Sequence, residues 1–116
     1  MTRSIELLGR KIQVEITPAA QTALADRNIP LHAEMELYFS CLIRKRVRFD
    51  VPQRGPVALV GQELSVAFRP VMTRGCAVAD YTAEALEDLP ITAPARFVPH
   101  WLRIDWRDGG WRGEFD

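Results

Sequence analysis

Cysteine is nearly missing from this chain: Cys41 and Cys76 are the only two in 116 residues. Two thiols cannot build the disulfide framework of a small secreted domain, and a separation of 35 positions matches no zinc-ligand spacing. Histidine is as scarce, with His32 and His100 alone, so no His-rich metal motif can form. Charge of one sign is missing too. Fifteen Lys+Arg against fifteen Asp+Glu leave a formal net charge of +0, which removes any global field drawing in nucleic acid or an anionic membrane. No apolar run approaches transmembrane length, and the opening MTRSIELLGRK lacks the apolar core of a signal peptide. Glycine-rich phosphate loops, HExxH and the nucleophile elbow are all absent. The expectation is a cytoplasmic protein with reduced thiols, off the membrane, and not an enzyme.

What is present suits one α+β domain over residues 1–116. A hydrophobic content of 47% and a charged content of 26% are ordinary for a globular chain. This length buries roughly 65% of the unfolded surface, enough for one core without metal or disulfide. The basic residues are skewed, with 13 Arg against Lys11 and Lys45. Arginine makes bidentate contacts that lysine cannot, although codon composition produces the same skew.

The clearest pattern is Met35 to Asp50, MELYFSCLIRKRVRFD. Odd positions are apolar apart from Lys45, and even positions carry Glu36, Tyr38, Arg44, Arg46 and Arg48, the period of a half-buried strand. Sixteen extended residues span roughly 50 Å, too long for this domain, so the segment must coil, bulge or break. Lys45, on the apolar face, marks the expected place. A bulge near Leu42 to Lys45 would invert the facing of Arg46 and Arg48 relative to Arg44.

Elsewhere, Ile5 and Leu7, then Ile12, Val14 and Ile16, alternate around Gly9-Arg10 as a hairpin. Thr17-Pro18 opens a short helix to Arg27. Val57–Val60 and Leu64–Phe68 form a second hairpin around Gly61-Gln62, and Thr82–Leu89 reads as a second short helix. At the C-terminus, a two-residue turn at Asp108-Gly109 sets Trp106 against Trp111, Asp105 against Arg112, Arg103 against Glu114 and Leu102 against Phe115. All four are stabilising cross-strand pairs. The sum is six to seven mostly antiparallel strands in a mixed sheet or small sandwich, with two short helices and a C-terminal β-hairpin.

Candidate chemistry is sparse. Cys41 and Cys76 are the candidate metal ligands, each near basic residues that favour a thiolate; the competing reading makes them small buried hydrophobes. His32 and His100, each beside proline, read as exposed loop residues unless they serve as supplementary ligands or proton shuttles. Arg44, Arg46 and Arg48 form either a solvated face paired with acids such as Glu36 or a docking surface. Aromatic interleaving is too thin there for nucleic acid. Trp106 and Trp111 share the core face with Leu102, Ile104 and Phe115, which leaves Trp101 as the aromatic interface candidate.

The run Val14-Glu15-Ile16-Thr17-Pro18-Ala19-Ala20, a short helix, and an alternating strand reaching Ser40-Cys41 together resemble the start of the HesB/IscA-type A-type carriers of iron–sulfur assembly. Val47-Arg48-Phe49 is similar to the strand that follows in that family. The resemblance covers Val14 to Asp50. Ser40 and Leu42 stand where the family has glycines, and its C-terminal Cys-x-Cys pair is absent. It implies a degenerate member with HesB-like ancestry.

Two functions follow as expectations. One is a small non-catalytic accessory or binding protein, in its sharper form an iron or iron–sulfur carrier using Cys41 and Cys76. The other is a protein-interaction module that docks through Arg44, Arg46, Arg48 and Trp101, with structural cysteines. A protein partner is expected in either case, and self-association is left open.

Overall fold

The computed structural model describes residues 1–39, 43–53, 55–73, 86–88 and 97–116. These form β1 (Thr2–Leu7), β2 (Arg10–Ile16), α1 (Pro18–Ala25), β3 (Leu31–Phe39), β4 (Ile43–Phe49), β5 (Ala58–Val60), β6 (Leu64–Thr73), β7 (Leu86–Asp88), β8 (Trp101–Arg107) and β9 (Gly110–Phe115). The strands make two mixed sheets. One runs β1-β2-β8-β9, and the other runs β4-β3-β6-β5 with β7 on the far half of β6.

Local chemistry accounts for the hairpins and the helix. In the first hairpin Leu7 pairs with Arg10, and Leu8 and Gly9 take φ of 52° and 77°, as a two-residue primed turn requires. The turn therefore falls one residue before Gly9-Arg10. Thr17 caps α1 by accepting a hydrogen bond from the Ala20 amide at 3.2 Å, and Pro18 takes the first helical position. The helix stops at Ala25, with Asp26 as its C-cap. The C-terminal hairpin has the register read from its sequence, including Trp106↔Trp111 and Leu102↔Phe115, around Asp108 and Gly109 at φ of 50° and 73°.

The long alternating segment breaks, as its length requires, but between Phe39 and Ile43 and not at Lys45. Phe39 pairs with Ile43, so β3 and β4 fold back on each other, and Lys45 sits opposite Leu37 in an unbroken ladder. Because β4 is regular, Arg44, Arg46 and Arg48 all share one face. The strand count is nine among the described residues, above the six or seven expected, and one helix is present instead of two. Leu86–Asp88, placed in the second helix by sequence, pairs antiparallel with Val71–Thr73; residues 82–85 and 89 lie outside the described residues. The reason is that β5 covers only Leu64–Val66, which leaves the outer half of β6 with a ladder that a weak helix former satisfies by pairing. Five pairings are antiparallel and two, β2 with β8 and β3 with β6, are parallel.

One core joins the sheets. Ile12, Val14 and Ile16 of β2, Leu102 and Ile104 of β8 and Phe115 of β9 cluster with Leu31, Ala33 and Met35 of β3 and Leu64 and Val66 of β6. Each such side chain contributes about 1.5–3 kcal/mol when removed from water. At the sandwich edges β4 packs on β9 and β1 on β5, while α1 lies against β8.

Candidate functional site

The far face of the second sheet is not the wet surface that its charges suggest. His32, Glu34, Glu36 and Tyr38 alternate along β3 with the core residues and are themselves buried, with Glu36 only 1% and Glu34 2% exposed. Strand pairing supplies what they need. Glu36 lies between Arg46 of β4 and Arg69 of β6, and Glu34 lies opposite Arg48. Tyr38 donates its hydroxyl to Glu36 Oε1 at 2.5 Å, Arg48 Nε forms an ion pair with the same oxygen at 2.9 Å, and Arg69 approaches Oε2 at 4.0 Å. Burial, the hydrogen bond to Glu36 and the charge of that carboxylate push the Tyr38 phenol up to about 12, with Arg48 pulling the other way. The network fixes β3 in the middle of its sheet.

His32 corrects the sequence reading as well. It is a buried residue of β3, not an exposed loop histidine. Its Nδ1 lies 2.8 Å from Ser65 Oγ, to which Gln53 Nε2 also donates at 3.4 Å. Burial lowers its pKa from 6.5 against the opposing pull of Asp50. Among the described residues its Nε2 is buried without a hydrogen-bond partner. His100 is exposed, as expected. Cys41 and Cys76 lie outside the described residues. Among the described residues no group of three His, Cys, Asp or Glu side chains could hold a metal ion.

The interface candidates do not converge. Arg44 and Arg46 are exposed and Arg48 half-buried on the far face of the second sheet. Trp101, 40% exposed, sits on β8 of the first sheet, opposite Gln13 of β2 and away from the core-facing Leu102 and Ile104. The sandwich separates the two.

A different set comes together where β9 packs on β4. Trp106 and Trp111 are half-buried and border the core, where their alternation had placed them inside. They meet edge to face with ring centroids 4.8 Å apart, and Phe49 stacks on Trp111 at 6.0 Å. Two recesses flank Trp111. One, of about 320 Å³, is lined by Ala19, Ala23, Asp26 and Arg27 of the α1 region together with both tryptophans. The other, of about 510 Å³, follows β4 along Arg46, Val47, Arg48 and Phe49. An Arg27–Asp50 ion pair of 2.8 Å bridges the helix end to the end of β4. The missed signal was position: Trp106 and Trp111 adjoin the Asp108-Gly109 turn at the end of their hairpin.

Comparison with protein-family models, curated proteins and solved structures finds no match for this chain. Among the described residues no helix is long and apolar enough to cross a membrane. The geometry offers a wall of three aromatic rings beside exposed guanidinium groups, a composition suited to recognition by contact.

Proposed function

We propose that the protein is a non-catalytic protein-interaction module whose docking surface is the strip along β4 centred on Trp111. The observation that carries this reading is the placement of Trp111, which walls two adjoining recesses and is backed by Trp106 and Phe49. Half-buried tryptophan in a packed pocket, with arginine at its rim, is the composition of interface hot spots. The module differs from the one expected from sequence in its aromatic anchor, Trp111 instead of Trp101.

The three indole N–H groups give a direct test. N-acetyl-phenylalanine methylamide and N-acetyl-valine methylamide, titrated into isotope-labelled protein, should shift the indole resonances of Trp111 and Trp106 and leave that of Trp101 in place. Trp111→Ala should remove the response of the Trp106 indole. A response confined to Trp101, or none, overturns the reading.

A further inference from the structure

The hydrogen-bonding geometry of β4 indicates how a partner is held. The Asp50 amide donates to the His32 carbonyl at 2.9 Å, and these residues stand opposite one another in the register that pairs Ala33 with Phe49. Antiparallel partners alternate between bonded and non-bonded pairs. The bonded pairs are therefore Glu34 with Arg48, Glu36 with Arg46 and Tyr38 with Arg44. The backbone N–H and C=O groups of Lys45, Val47 and Phe49 point the other way, to the edge of the sheet where no strand pairs with β4 among the described residues.

That edge has two unlike flanks. Arg44 and Arg46 are exposed on one, while Val47 and Phe49 lie on the other with Trp111, followed by Lys45 in its ion pair with Asp116. The larger recess runs along this line and takes in side chains from both flanks. We propose that the open edge of β4 takes up an extended segment of a partner protein as an added strand, in which acidic side chains alternate with apolar ones. This rests on the interaction-module reading and names its partner class. Backbone bonding gives such a complex its affinity, and alternate side chains give it specificity. The acidic set meets Arg44 and Arg46, and the apolar set meets Val47, Phe49 and Trp111. A second copy of the chain is a poor occupant, because pairing two β4 edges sets cation against cation.

The test uses a labelled synthetic peptide of about nine residues, long enough to span β4 at roughly 3.3 Å per residue, with Glu at alternate positions and Val or Phe between them. Controls are a scrambled peptide of the same composition and a version with Gln for Glu. Binding should shift the amides of Lys45, Val47 and Phe49 and slow their hydrogen exchange more than those of Arg44, Arg46 and Arg48. Lys45→Pro, which removes an outward-pointing N–H, should weaken binding about tenfold or more, whereas Lys45→Ala keeps the amide and most of the affinity. Arg44→Glu with Arg46→Glu should weaken the Glu peptide and spare the Gln peptide.

Equal binding of the scrambled peptide, indifference to both Lys45→Pro and the charge reversals, or no binding at all overturns the proposal. Self-association without peptide, seen as a mass that rises with concentration, overturns it as well. If the small amides still move the Trp111 indole while the peptide fails, the interaction module stands and strand addition falls. If neither binds, both fall.

Discussion

Glu36 is held by a phenol and two guanidinium groups at once, and a carboxylate with 1% exposure tolerates its burial only through them. Glu36→Gln removes the buried carboxylate that Arg48 and Arg69 face and should cost about 3 kcal/mol by urea unfolding. Tyr38→Phe should cost about 1–2 kcal/mol through one charged hydrogen bond. The folded-state pKa of Tyr38, about 12, lies above its ordinary 10.0. Its stabilising effect is thus complete below 10 and lost as pH rises through 12, which phenolate absorbance and unfolding midpoints will follow together. His32 has the opposite sign. Its pKa is lowered by burial from 6.5, so its contribution is complete above that value and is lost as pH falls towards the folded-state value. Unfolding midpoints on either side of 6.5 should show this slope, and His32→Gln should flatten it. The pairing of Glu36 with the arginine face was legible from sequence but its burial was not, because alternation marks a residue as off the core face without saying whether that second face is wet.

Turn and cap chemistry was legible because it is local. Thr17, Pro18, Asp108 and Gly109 each act on neighbours within three residues, and their hairpin and helix form where the sequence places them. Thr17 also reaches further, donating to Asp105 Oδ1 at 2.7 Å and so tying α1 to β8. That bond and the Trp106 amide hold the Asp105 carboxyl below its ordinary range. Thr17→Ala removes both cap and tie and should cost about 1–2 kcal/mol in thermal unfolding. Gly113 is the reverse case, a position with no local reason for glycine. A Cβ there would lie 2.7 Å from Val47 Cβ of the facing sheet, so Gly113→Ala should cost about 1–3 kcal/mol by urea unfolding, and Val47→Ala, which keeps that Cβ, should not restore it. The β3–β4 hairpin, β7 and the two parallel pairings depend on contacts between distant segments, and a window along the sequence does not contain them.

Across the whole molecule, the first sheet is assembled from two ends of the chain. β8 enters between β2 and β9, with Gln13 opposite Trp101 and Ile16 opposite Ile104. Deleting residues 101–116 removes Leu102, Ile104 and Phe115 from the shared core. The shortened chain should lose cooperative unfolding in calorimetry, and the intact one should fold slowly for its size. The sandwich also explains why the expected surface of Arg44, Arg46, Arg48 and Trp101 is not one surface, a separation that no linear pattern encodes. The buried charge network carries a consequence for descent. Position 36 is not free to drift alone, since its carboxylate answers Tyr38, Arg48 and Arg69 at once, so lineages of this chain should change these four positions as a group. Arg44 and Arg46 are exposed and make none of the close contacts with Glu36 that Tyr38 and Arg48 make. Their persistence through that drift would be the inherited trace of a partner.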